Sequence, residues 1–295
     1  MNDKRILKNI GVSMLMKPVS MALSFIYTPI ILNFLGEAKN GVWVTILQIV
    51  SAINYFDIGI GNGLRNKLAE SHALGKHDES KKYVSNAYIG TLFISAIFGV
   101  LIIGIWNLLG LGTFFNMTAT DSSSNFAVSV SVFFICLNFV LSLSKTSAYA
   151  IQKPGIISVA DVCNQILQIT IAFTVSKLMD GNLVVTAIVY GAVTLVSNTA
   201  LYFFLTSKRD YLRPSFKLYD KKYMKPLLTV GSGFFIIQMS TLVLNTTDNL
   251  IISKLLGSEN VTSYNMPYKL FQVIVQVHAI IIMPMWSAYT EAATY

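Results

Sequence analysis

Five ionisable side chains, Lys17, Asp57, Asp161, Asp248 and Lys269, stand inside long apolar runs. At the centre of a membrane helix each costs roughly 2.5–3.5 kcal/mol, so five facing lipid would cost on the order of 10 kcal/mol or more. They are therefore expected to face a bundle interior, a partner charge or water. Lysines in such a place can hold an anionic group, and carboxylates can titrate or bind H+ or Na+. The plainer account is two structural pairs, Lys17 with Asp57 and Asp248 with Lys269. The accounts overlap, because a pair that opens when cargo arrives would be both.

A second stretch, "YFDIGIGNGLRNKLAE" (55–70), sets Asp57 beside Gly59, Gly61 and Gly63 and then Arg65 and Lys67. Each glycine costs roughly 1 kcal/mol against alanine in a water-exposed helix. Spacing by two is expected to distribute them around a helix and not along one packing face. This predicts a helix end able to bend, beside a charge, as a gate requires; plain close packing against neighbours is the alternative. A nucleotide-binding loop is excluded, since no strand precedes the glycines and no βαβ unit surrounds them. Two cysteines, Cys136 and Cys163, fall in apolar runs and read as small hydrophobes, and the three histidines lack ligand spacing. No metal site or cofactor is expected.

The elements that must position these residues are membrane helices. Of 295 residues 54% are hydrophobic and only 12% charged, against about 25% charged in an average soluble domain. Mean hydropathy is +0.59, so no water-soluble core could hide the apolar excess. A span needs about 20 apolar residues. Eight are predicted: 10–35, 41–64, 83–109, 125–145, 156–178, 183–206, 227–253 and 262–287. The basic start "MNDKRILKN" precedes an apolar run too long for a signal peptide. Seventeen basic residues lie in the N-terminus and in loops 65–82, 145–155 and 207–226, against three in the alternate loops. That bias predicts a cytoplasmic N-terminus. It also accounts for the net charge of +8 without nucleic acid; contact with anionic lipid is the simplest role for most of these lysines.

Sliding the chain by 221 residues lays "ILNFLGEAKNGVW" (31–43) over "ISKLLGSENVTSY" (252–264), so that Gly36 meets Gly257 and Trp43 meets Tyr264. With six spans before the second copy, both copies start on the same side. This is a parallel repeat of two six-helix halves, of which the second would stop after two helices. The expected division is 1–226, a six-helix lobe, and 227–295, the start of a second lobe, with at least four more helices expected beyond Tyr295.

"FLGEAKNGVWVTILQIVSAINYFDIGIGNGLRNKLAE", with "SNAY" (85–88) and "MPMWSAYTEA" (283–292), resembles the N-terminal region of bacterial polysaccharide flippases of the Wzx type. These belong to the superfamily of multidrug and toxin extrusion (MATE) transporters and the lipid II flippase. The resemblance covers essentially the whole chain. It implies an all-α, polytopic, MATE-like helix bundle in the bacterial inner membrane that flips a polyprenyl-diphosphate-linked oligosaccharide to the outer leaflet. On that view Lys17, Arg65, Lys67 and Lys269 would contact the diphosphate. Asp57, Asp161 and Asp248, with Gly59, Gly61 and Gly63, would couple or gate, using H+ or Na+. Partners would be the lipid-linked oligosaccharide, membrane lipids and other polysaccharide-assembly proteins. A cation-coupled small-molecule exporter of the same superfamily is the alternative. A membrane glycosyltransferase is disfavoured, because it needs a sizeable aqueous loop with catalytic carboxylates, and the longest loops are only about 20 residues and mostly basic.

Overall fold

A computed structural model describes residues 3–52, 59–108 and 124–292. Every regular element among them is helical: α1 (Asp3–Ala52), α2 (Ile60–Ala73), α3 (His77–Leu108), α4 (Ser124–Ala150), α5 (Pro154–Leu178), α6 (Leu183–Thr206), α7 (Lys221–Leu256) and α8 (Ser258–Ala292), with two short 3₁₀ turns between α6 and α7. Among the described residues, five helices are long and apolar enough to cross a membrane: α1 over Gly11–Gln48, then α3, α4, α5 and α6. The chain is a multi-pass membrane protein.

The first expected span and residues 41–52 of the second are the arms of α1, which breaks at Gly36, whereas residues 60–64 of the second open α2. α7 and α8 occupy the places of the last two. With 36 and 35 residues each would reach over 50 Å at 1.5 Å per residue. Asp248, Asn249, Asn265, Lys269 and Gln272 dilute their apolar character, as suits helices that face a polar cleft. The region expected as loop 65–82 is mostly helix. α2 runs to Ala73, a short turn follows, and α3 begins at His77. Asp57 and residues 110–123 of the expected loop 110–124 lie outside the described residues.

Two apolar layers hold the bundle. On the side of the basic loops, Ile60, Leu64 and Leu68 of α2 meet Val84, Leu143, Ala148, Ile157, Leu201 and Leu205, with Leu227 of α7 joining them. On the other side Ile31, Leu35, Val42, Trp43 and Ile46 of α1 meet Trp106, Val128, Val132, Leu183 and Ala187. Between these layers buried amides stitch α4 to α6: Asn198 Nδ2 donates to Asn138 Oδ1 (2.8 Å) and Asn138 Nδ2 to the Gly191 carbonyl (3.2 Å). Such bonds average about 0.6 kcal/mol in a membrane protein.

α1 and α5 run parallel and in register. Ser158 Oγ donates to Ser13 Oγ (3.0 Å) and Gln165 Nε2 to Ser20 Oγ (2.8 Å), both at a separation of 145 residues. α7 packs against α2, and α8 against α1.

Candidate functional site

On the basic side, polar groups from four helices converge. Lys145 Nζ of α4 pairs with Asp161 Oδ1 of α5 at 2.8 Å, both side chains about a third exposed. Lys17 sits on the stripe of α1 that carries Ser13 and Ser20, and so stands level with Asp161 across the α1–α5 contact. It is half-buried. Arg65 of α2 is buried, with its guanidinium carbon 5.0 Å from the ring centre of Tyr149 on α4. Lys145 also borders a cavity of about 200 Å³ with Ser131, Asn138, Tyr190 and Asn198. Displacing Lys145 would leave Asp161 free to take up a proton or a cation, and would leave the Lys145 ammonium able to hold an anionic group.

The sequence pointed to Lys17, Arg65 and Asp161 but missed Lys145. The apolar run of the fourth span ends at that residue, which assigned it to a loop; it lies a turn and a half inside α4. Lys67 turns away from this cluster and pairs with Glu70 at 2.7 Å. The proposed partner of Lys17, Asp57, lies outside the described residues.

The second feature is a cleft of about 150 Å³ between α1 and α8, lined among others by Thr28, Asn40, Trp43, Gln48, Asn265 and Lys269. Lys269 Nζ donates to Thr28 Oγ1. The expected pair of Asp248 with Lys269 does not form: Asp248 Oδ2 instead accepts from Tyr264 OH at 2.8 Å. Asp248 and Tyr264 lie 16 residues apart across the break between α7 and α8, and the short reach to that phenol outcompetes the lysine, which is directed to α1. None of the described residues lining the cleft is acidic. At its far end the two breaks touch: Asn40 Nδ2 donates to Thr262 Oγ1 (3.2 Å), which donates to the Glu37 carbonyl (3.2 Å).

The third feature corrects the reading of the glycines. Gly59 and Gly63 are four residues apart and share a face, which spacing by two concealed. A Cβ on Gly59 would stand 2.1 Å from the Gly231 carbonyl oxygen, and one on Gly63 would stand 2.1 Å from that of Leu227. The α2–α7 crossing is backbone against backbone, the close approach that small residues spaced by four permit. Gly59 is also the left-handed residue that starts α2 (φ 78°). Gly61 lies in α2, half-buried.

A family model described as "Polysaccharide biosynthesis protein" matches residues 6–289. A Yersinia pseudotuberculosis protein named for O-antigen export is 22% identical over 282 residues, covering 94% of this chain and 63% of its own length. A Salmonella typhimurium protein named as an O-antigen transporter is also 22% identical, over 95% of this chain and 64% of its own. The chain therefore spans somewhat under two thirds of these relatives. Among solved structures, an outward-facing multidrug resistance MATE transporter of the MOP superfamily superposes with a TM-score of 0.66 over 97% of this chain and 63% of that one, at 16% identity. The fold is MATE-like.

Proposed function

The chain belongs to the polysaccharide biosynthesis protein family, and from that premise we propose that it moves a polyprenyl-diphosphate-linked oligosaccharide from the cytoplasmic to the outer leaflet of a bacterial inner membrane. Its N-terminus lies in the cytoplasm, on the side of the basic loops. It works as a transporter and not as an enzyme, alongside other polysaccharide-assembly proteins.

The observation that carries this reading is the cleft between α1 and α8. It places the cation of Lys269 among neutral amides and an indole, with no carboxylate among the described residues of its lining. A diphosphate needs a cation that no resident acid neutralises, and sugars need amide and aromatic partners. Lys17, Lys145 and Arg65 supply the positive potential at the cytoplasmic entrance, with Lys67 at its rim. Asp161 and Asp57 respond to H+ or Na+ during the cycle, and Asp248 does so at the far end. The α2–α7 crossing at Gly59 and Gly63 closes the cytoplasmic mouth. A small-molecule exporter draws support from the MATE-like fold alone; a cationic drug would gain nothing from Lys269.

The test replaces Lys269 in the chromosomal gene. Lys269→Arg keeps surface polysaccharide, whereas Lys269→Gln loses it at unchanged protein level and the lipid-linked oligosaccharide accumulates inside. Normal surface polysaccharide in the Gln variant overturns the proposal.

A further inference from the structure

Residues 207–220, which join α6 to α7, are held along their length by the turn between α2 and α3 and by the start of α3. Asp210 pairs with Lys81. The Tyr211 ring stacks on His77 and His72, at 4.5 and 5.5 Å between centroids. Leu212 is buried. The Ser215 N–H donates to Ser85 Oγ at 3.0 Å. Asn86, fully buried, donates through Nδ2 to the Leu218 carbonyl and accepts through Oδ1 from the Asp220 N–H, each at 3.0 Å. An asparagine that commits both ends of its amide to one segment fixes both its position and its direction. The motif "SNAY", singled out in the sequence, is therefore a clasp for this connection.

Against that fixed backbone two aromatic side chains turn outward. Phe216 is 75% exposed and Tyr219 49%. Lys217 between them and Lys221 and Lys222 after them are exposed too. Both acids of the segment are already engaged, Asp210 by Lys81 and Asp220 by capping α7 through the Lys222 N–H at 2.8 Å. A single exposed aromatic needs no explanation. Here two are presented on a clasped segment, with a surplus of cations, between the ends of two membrane helices.

We propose that residues 207–222 form a membrane-surface anchor: Phe216 and Tyr219 enter the lipid interface, and Lys217, Lys221 and Lys222 bind anionic phospholipid headgroups of the adjoining leaflet. Aromatic rings settle at the headgroup level, and lysines near the surface are drawn to anionic lipid within a Debye length. Since Ser85 and Asn86 tie the segment to α3, the anchor holds the start of α7 at a fixed depth relative to the α1–α6 bundle. This role is independent of the cargo.

The test places a nitroxide at Phe216→Cys or Tyr219→Cys, in a Cys136→Ser, Cys163→Ser background, with the full chain in vesicles of phosphatidylglycerol and phosphatidylcholine. Collisions with oxygen exceed those with a water-soluble nickel chelate at both sites. Nickel access rises when phosphatidylglycerol is omitted, or when Lys217, Lys221 and Lys222 are replaced by glutamine. Asn86→Leu releases the clasp and raises probe mobility at 216. Nickel collisions that dominate in anionic vesicles overturn the anchor. Depth unchanged without anionic lipid overturns headgroup binding, and unchanged mobility in Asn86→Leu overturns the clasp.

Discussion

Gly36 and Gly257, 221 residues apart, hold the same backbone conformation: φ 75°, ψ 167° at the first and φ 91°, ψ 157° at the second. This is a region that essentially only glycine enters. The offset is the one at which the sequence overlays itself, and the two breaks meet through Asn40 and Thr262. The two glycines therefore match in backbone conformation as well as in residue type.

An added Cβ meets no atom within 4 Å at either glycine, so alanine should cost only the backbone strain. We expect Gly36→Ala and Gly257→Ala each to destabilise by about 1–3 kcal/mol, and by similar amounts. Thermal unfolding in detergent reads this. A neutral effect at one site and a large one at the other would deny the equivalence.

The α2–α7 crossing should tolerate no side chain. Gly63→Ala forces a shift against the Leu227 backbone, at a cost of about 1–3 kcal/mol as for other overpacked sites. Gly233→Ala, where no atom lies within 4 Å of the added carbon, should be neutral or gain up to ~1 kcal/mol from helix propensity. Melting temperatures of the two variants moving together would reject the crossing.

Asp161→Asn or Lys145→Met strands one charge of a pair. A fully buried pair broken this way loses roughly 3–5 kcal/mol; with both side chains about a third exposed, the loss should be below ~3 kcal/mol once solvent screening is counted. The double variant should recover stability. If it also recovers transport, Asp161 has no coupling role; a stable, inactive double variant, measured by surface polysaccharide, supports one.

His72 has its pKa lowered from 6.5 by burial first, then by His77, Arg209 and Lys153. The folded state thus binds the proton less readily than the unfolded chain. The contribution of His72 to stability is complete above pH 6.5 and declines as pH falls through and below that value. Amide exchange in 207–220, corrected for intrinsic rates, should therefore speed up between pH ~7.5 and ~5.5. His72→Gln should flatten the change, and an equal change in that variant would assign the effect elsewhere.

Much of this architecture is written in hydropathy. The boundaries of α5 and α6 follow apolar runs that end where the helices end, and the break at Gly36 is marked by a Leu-Gly turn. Lys145 was hidden because a window of apolar residues closes on the first charge, although a helix continues past it when the charge finds Asp161. The Gly59–Gly63 face was obscured by Gly61, which makes the spacing look like two when the contact uses four. Asn86 carries no signal in its neighbours: apart from the Lys82 carbonyl one turn back, what it binds lies more than 130 residues away, and only the folded chain brings Leu218 and Asp220 to it.

The paired contacts of α1 with α5 have a mechanical consequence. Ser13–Ser158 and Ser20–Gln165 share one offset, so an axial slip of either helix breaks both together. At about 0.6 kcal/mol each, the intact register is favoured roughly eightfold over the slipped one. A tilt about the line through the two bonds breaks neither. Turning of α1 and α5 about their shared seam is thus the soft relative motion, and sliding of one along the other is the stiff one.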